Sequence, residues 1–159
     1  AELTNRLLTA LPAWSSSRLI VHTLTERALM DQVSLAGTGW ATLEELRTCA
    51  LPDELMAELE VGGARSPIAV SRVGEKPVAF CYAGSETETL WDVAIDTLEH
   101  YRRQGHAARS AALMTARMAS LGKQPVWQSL ENNPASWRLA ARLGFTPVDE
   151  LVMFEAHHP

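Results

Sequence analysis

From Glu88 to Thr97 the residues alternate in character, with Trp91, Val93 and Ile95 on one side and Asp92, Ala94 and Asp96 on the other, the pattern of a strand with one polar face. A short polar stretch then passes through Gly105, and the period changes. Ala107, Ala111, Met114, Met118 and Leu121 recur at helical spacing until Gly122 and Lys123 supply a stop. A strand that turns through one glycine into a long amphipathic helix calls for a mixed α/β domain, with helices laid on a sheet.

The rest of the chain is compatible with that architecture. Leu3, Leu7, Leu8 and Leu11 predict an N-terminal helix stopped at Pro12, and Arg18 to Thr25 reads as a strand. Glu26 to Leu35 reads as a helical piece ended by Gly37 and Gly39. Leu43, Leu46, Leu51, Leu55 and Leu59 predict further helix, interrupted at Pro52 and closed by Gly62-Gly63. Ile68–Val73 and Pro77–Ala83, joined by Gly74-Glu75-Lys76, form a hairpin pattern, and Gly84-Ser85-Glu86 is the expected turn into the alternating strand. Pro125 to Leu130 is a short strand. Asn133 as N-cap and Pro134 as first helical residue open a helix that ends at Gly144, and Phe145–Val148 and Leu151–Phe154 are expected as two closing strands. With no repeat, low-complexity stretch or linker, the 159 residues are expected to form one domain, with a core at 18–155 and a helical extension at 1–12.

Composition narrows the function. Hydrophobic residues at 47% and charged residues at 21% are those of an ordinary globular chain. A net charge of −5 and a pI near 5.5 argue against general binding of nucleic acid or an anionic membrane. Any anion site must therefore be local. Cys49 and Cys81 form no CxxC pair, so neither a disulfide scaffold nor a zinc ribbon is expected, and the tail pair His157–His158 has no third ligand. No metal is expected. The N-terminal stretch lacks a leader pattern and no apolar run reaches ~18 residues, so the expected compartment is the cytoplasm.

The local anion site is legible where the strand meets the helix. The first turn of a helix carries four unpaired N–H groups and a partial positive charge, and a glycine there lets a phosphate approach the backbone. Arg102, Arg103, Arg109 and His106 crowd this end, where the macrodipole disfavours cations, and a bound anion would relieve the conflict. The stretch is neither a P-loop, lacking GK[ST], nor a dinucleotide fingerprint, having one glycine rather than three.

Arg102-Arg103-Gln104-Gly105-His106-Ala107 resembles the pyrophosphate signature of the GCN5-related N-acetyltransferases: Gln or Arg, two residues, Gly, one residue, then Gly or Ala. The stretch from Asn133 to Phe145, with Leu143-Gly144-Phe145 at its end, is similar to that family's second element, and the order of elements agrees over Arg18 to Phe154. The resemblance implies a mostly antiparallel sheet splayed between its fourth and fifth strands, with helices on both faces and acetyl-CoA in the gap. It implies the pantetheine arm on the backbone at Ile95, Asp96 and Thr97, and the pyrophosphate on Arg102, Arg103, Gln104, Gly105, His106, Ala107 and Ala108. Asn133 and Ser136 would contact the cofactor from the second helix. A bulky residue at Gly105 is expected to abolish CoA binding.

The implied reaction is attack of an amine on the thioester. An alkyl amine with pKa near ~10 must lose a proton first, so a base is needed, and a donor must serve the leaving thiolate. Here the chain departs from the family: Ala140 stands where many members carry a tyrosine, and Gln128 where the ribosomal-protein acetyltransferases carry a glutamate. Asp92 is the first-choice replacement base, with Glu88 and Glu131 as alternatives; Asp92 and Asp96, about 13 Å apart along a strand, are too distant for a glycosidase pair. Ser129, Ser136, Cys81 and Tyr82 are the candidate donors. The acceptor is expected to be a primary amine on a small molecule or peptide, and the N-terminal helix is expected either to cover the acceptor groove or to pack against a second subunit in a homodimer. The competing function is a CoA-binding regulatory module without turnover.

Overall fold

The computed structural model describes residues 2–11 and 13–156; Pro12, where the first helix was expected to stop, and the His157–His158 pair lie outside them. The chain runs α1 (Glu2–Ala10), β1 (Trp14–Leu24), α2 (Arg27–Asp31), β2 (Thr38–Ala41), α3 (Leu43–Thr48), α4 (Asp53–Gly63), β3 (Ile68–Val73), β4 (Lys76–Glu86), β5 (Leu90–Thr97), a 3-10 turn at Glu99–Tyr101, α5 (His106–Ser120), β6 (Gln124–Leu130), α6 (Pro134–Arg142) and β7 (Phe145–Ala156). The strands form one sheet in the order β2-β3-β4-β5-β6-β1-β7. Every neighbouring pair is antiparallel except β5 and β6, which run parallel.

Alternation along β5 divides the interior. Trp91 and Val93 face the layer of α5 and α6, joining Met114, Met118, Trp127, Ala140 and Phe145. Ala94 faces the opposite layer, where Leu46 of α3 and Leu59 of α4 pack on Ile68, Val70, Phe80 and Tyr82. Leu46, Leu59 and Phe80 are completely buried, each stabilising the fold by roughly 1.5–3 kcal/mol relative to exposure.

Four local expectations are corrected. The helical piece after the first strand is only Arg27–Asp31, because Thr38–Ala41, read as its glycine-rich end, is instead a strand paired with β3 from Thr38↔Ser71 to Ala41↔Ile68. Gly62-Gly63 lie inside the last turn of α4 rather than beyond it; a Cβ on Gly62 would come within 2.1 Å of the Tyr82 ring, so the small residue lets the helix reach the sheet. Gly84-Ser85-Glu86 continue β4 through an irregularity, and the turn follows at Thr87, whose Oγ1 accepts from the Leu90 amide at 3.0 Å. The two closing strands are one, β7, and its partner is the N-terminal β1, paired from Trp14↔Ala156 to Leu24↔Phe145 with a shift between Val21 and His22. The first strand is thus interior to the sheet, between β6 and β7.

The capping expectations are met. Asn133 Oδ1 accepts from the Ser136 amide at 3.2 Å and Pro134 is the first residue of α6. Gly144 adopts φ +91 beyond that helix, and its carbonyl accepts from the amides of Thr25 and Glu26, tying α6 to the end of β1.

Candidate functional site

The parallel pairing of β5 and β6 covers Leu90↔Gln124, Trp91↔Pro125 and Asp92↔Val126. Beyond Asp92, β5 stays with β4 as far as Ala79↔Thr97, while β6 stays with β1 as far as Leu19↔Leu130. The two strands therefore part, and a wedge opens between their facing backbone edges. The wedge leads from Asp92 along β5 to Thr97, and from there the chain enters the turn before α5.

That turn is built from backbone. Arg103 has φ 61 and Gly105 φ 84, two left-handed residues flanking Gln104, and alternation of this kind turns successive N–H groups toward a common point. No side chain caps α5; the Arg109 amide bonds the Gly105 carbonyl at 3.2 Å, and the amides of His106, Ala107 and Ala108 precede it. A Cβ on Gly105 would meet nothing within 4 Å, so the space over the glycine is open. Among the described residues neither Arg103 nor Arg109 forms a salt bridge.

The loop is held from below and from both flanks. Arg102 Nε donates to Thr97 O at 3.3 Å and Gln104 Nε2 to His100 O at 3.0 Å. These side chains brace the turn. His106, 6% exposed, points into the sheet with Nδ1 2.9 Å from Ser71 Oγ on β3, and the Tyr101 ring meets it edge-on. Burial holds its imidazole below the usual histidine range, and Arg109 adds to the effect. Only the amide of His106 is therefore left for the loop.

Asp92 sits where the wedge begins. It is half-buried, and its Oδ1 is enclosed without a hydrogen-bond partner. A Cβ on Gly84 would lie 3.1 Å from Oδ2, so the glycine leaves room for the carboxylate. Burial pushes the Asp92 carboxyl above the ordinary range, while the Gln128 side chain facing it from β6 works in the other direction. Asp96 shares this face and is also raised, first by burial and then by Glu58 of α4, with Arg102 opposing. Tyr82 of β4, paired with Ala94 between the two acids, is pushed up to about 12 by burial and by Asp96 and Glu58.

The other candidates are occupied or displaced. Glu88 lies in the exposed turn before β5, and Glu131 is paired with Arg18 at 3.3 Å. Ser136 Oγ accepts from Trp127 Nε1 at 3.0 Å, and the Asn133 carbonyl oxygen is used by the cap, which leaves its Nδ2. Cys81 is fully buried and its thiol is pushed far up by desolvation. Ser129 Oγ on β6 is buried without a partner. Ala140 is completely buried against the α5 and α6 layer, so this position is core. The contacts missed in the sequence are Ser71 on His106 and Gly62 under Tyr82, both between residues with no local pattern to join them. Among the described residues no group of three His, Cys, Asp or Glu could hold a metal, and no helix is long and apolar enough to cross a membrane.

A family model described as GNAT acetyltransferase matches residues 69–154. The chain belongs to the GNAT acetyltransferase family. No curated protein sequence matches it. Among solved structures it is similar to a GNAT-family protein from Novosphingobium aromaticivorans, with TM-score 0.70 and 18% identity over 89% of this chain and 66% of that one. A GCN5-related N-acetyltransferase-like protein from Streptococcus suis gives TM-score 0.66 and 17% identity over 96% of this chain and 67% of the other. A tandem GNAT protein from the clavulanic acid biosynthesis pathway gives TM-score 0.58 and 15% identity over 98% and 58%. This chain thus spans about two thirds or less of the length of these GNAT structures, which share its fold.

The wedge and loop fit the cosubstrate of a GNAT protein. An open space above a left-handed glycine, an uncapped helix of 15 residues and two arginines without acidic partners suit a pyrophosphate. The unpaired edges of β5 and β6 suit an extended amide-bearing chain, and the orphaned Ser129 Oγ lies on β6 beyond the point of divergence.

Proposed function

We propose that the protein is an acetyl-CoA-dependent N-acetyltransferase acting on a primary amine of a small molecule or peptide. The observation that carries the reading is the parting of β5 from β6 after Asp92↔Val126, on a path that ends at the uncapped start of α5. Acetyl-CoA is the cosubstrate and brings the acyl thioester. The backbone of Ile95 and Thr97 binds its pantetheine arm, and the amides from Arg103 to Ala108 bind the pyrophosphate, with Arg103 and Arg109 completing the charge. At Thr97 the carbonyl is already engaged by Arg102, so the amide positions along β5 carry more of this pairing.

Asp92 is the base. Its raised pKa brings it closer to that of the proton it must take, and a partnerless Oδ1 is an acceptor with nothing else to accept from. The carboxylate removes a proton from the acceptor ammonium, directly or through water; the freed nitrogen bonds to the acyl carbon as the carbon–sulfur bond breaks, the thiolate leaves as CoA with a proton from a donor hydroxyl, and the second proton shed by the nitrogen restores that donor. Ser129, whose buried Oγ makes no hydrogen bond and which lies on β6 past the divergence, is the donor in this reading; Ser136 is engaged by Trp127 and the Cys81 thiol is pushed far up. Asp96 presents only its backbone to the wedge side of this scheme, because its carboxyl faces Tyr82 and Glu58.

Calorimetric titration with acetyl-CoA, followed by a thiol-release assay on a panel of amines, tests the proposal. Binding with release supports it. Binding without release from any amine would establish the regulatory module instead, and absence of binding would overturn the site assignment.

A further inference from the structure

The backbone pairing of β5 with β6 stops at Asp92↔Val126, and a side-chain contact takes over where it stops. Paired residues share a face and alternate residues along a strand return to it, so Gln128, two places beyond Val126, stands on the Asp92 face of the sheet. Trp127 between them points the other way, into the layer of α5 and α6. Gln128 lies about 7 Å further along β6 than the residue paired with Asp92, a distance its side chain covers by leaning back toward the start of the wedge. There its side-chain amide donates to the Asp92 carboxyl. From the other side β4 approaches through Gly84, where a Cβ would stand 3.1 Å from Oδ2. The carboxylate is thus held between an amide on β6 and bare backbone on β4, with Oδ1 enclosed and without a partner.

No charged side chain acts on this carboxyl. Asp96, the next acid on the same face, answers to Glu58 and Arg102, and Tyr82 answers to Asp96 and Glu58. Gln128 itself is exposed and belongs to neither core cluster, so packing does not call for a glutamine there. A neutral donor suits the position. A cation would pair with the carboxylate and repel the acceptor ammonium, and an acid would compete for the proton. We propose that Gln128 is a positioning residue for the transfer step: from β6 its amide fixes the Asp92 carboxylate across the start of the wedge, so that Oδ1 is the oxygen left for the acceptor. The inference rests on Asp92 as the base. The base is then held by both strands that part around the cosubstrate.

The test is Gln128→Met, which keeps the length of the side chain and removes the amide. Carbon-13 NMR titration of the aspartate carboxyls, with Asp92→Asn identifying the Asp92 signal, reads the contact without turnover, and thiol release across pH reads its effect on the reaction. The lost donor favours the protonated acid, so the Asp92 titration and the acidic limb of the rate profile both move to higher pH. On that limb kcat/KM for the amine falls by about three- to tenfold, while Tm and the KM for acetyl-CoA hold. An Asp92 titration unmoved in Gln128→Met overturns the positioning role. A titration that moves beside a rate limb that does not shows that Asp92 is not the base, and the proposal falls with that reading. Absence of thiol release from every amine defeats the acetyltransferase reading and this role with it, an outcome the titration tells apart from a failed contact.

Discussion

Replacing Gly105 by alanine separates a conformational requirement from a steric one. The residue holds φ 84 and ψ 0 at the N-cap of α5, and a Cβ there meets nothing within 4 Å. The cost is therefore that of a left-handed backbone in an L-residue, about 1–2 kcal/mol. If the loop keeps its shape, the whole cost appears as lost stability, a fall in Tm of about 2–8 °C for a chain of this length. If the loop relaxes to a right-handed conformation, Tm changes little, the amides lose their common direction, and the Kd for acetyl-CoA rises by about 5- to 30-fold. Scanning calorimetry and isothermal titration on the same preparation therefore give two losses that sum to the penalty. Gly105→Asn is expected to lose less on both axes, since asparagine tolerates this region. Should Gly105→Ala leave both Tm and Kd unchanged, the left-handed loop is not the binding conformation and the pyrophosphate assignment fails.

Three further outcomes are expected. Gly144→Ala combines φ +91 with a Cβ 2.2 Å from Glu26 O, a backbone atom that cannot move aside cheaply, so thermal unfolding should show a loss of about 3 kcal/mol or more; a smaller loss than for Gly105→Ala refutes the contact. His106→Ala leaves Ser71 Oγ buried without its partner and should raise KM for acetyl-CoA while sparing kcat; an effect on kcat alone would show that the histidine touches the reaction instead of positioning the loop. Asp92→Asn should lower kcat by about 10²–10⁴-fold and remove the acidic limb of the pH–rate profile, which in the native enzyme falls as pH drops through the raised carboxyl pKa. The same change should raise Tm at neutral pH. With the folded pKa above the unfolded one, the folded state binds more protons, so ionisation of Asp92 destabilises the fold as pH rises and asparagine removes that cost; a lower Tm for this variant contradicts the assignment.

Features whose cause is local were legible in the chain. Gly105 before the periodic run of α5, and Asn133-Pro134 before α6, are capping signals that need no distant partner. Asp92 stood out by alternation, since the opposite face of β5 carries Trp91 and Val93. What escaped depends on contacts between remote segments. Thr38–Ala41 is four residues with a glycine among them, too short to show a period, and becomes a strand only against Ile68–Ser71. Pro147, Asp149 and Glu150 look like a break between two strands, yet β1 supplies pairing partners across them and the chain stays extended. Gly62, read as a helix stop, is small for the sake of Tyr82, twenty residues away in sequence and on another element.

The interior position of β1 also bears on the order in which the nascent chain can assemble. Strands β2 to β5 are neighbours in sequence as well as in the sheet, and each can pair as it emerges. Strand β1 has no such neighbour: its partners, β6 and β7, begin about 100 residues later, roughly 5–20 s of synthesis. Through that interval both edges of β1 are without their native partners. One half of the sheet can therefore form during translation, and the half that closes the far side of the wedge waits for the last strand.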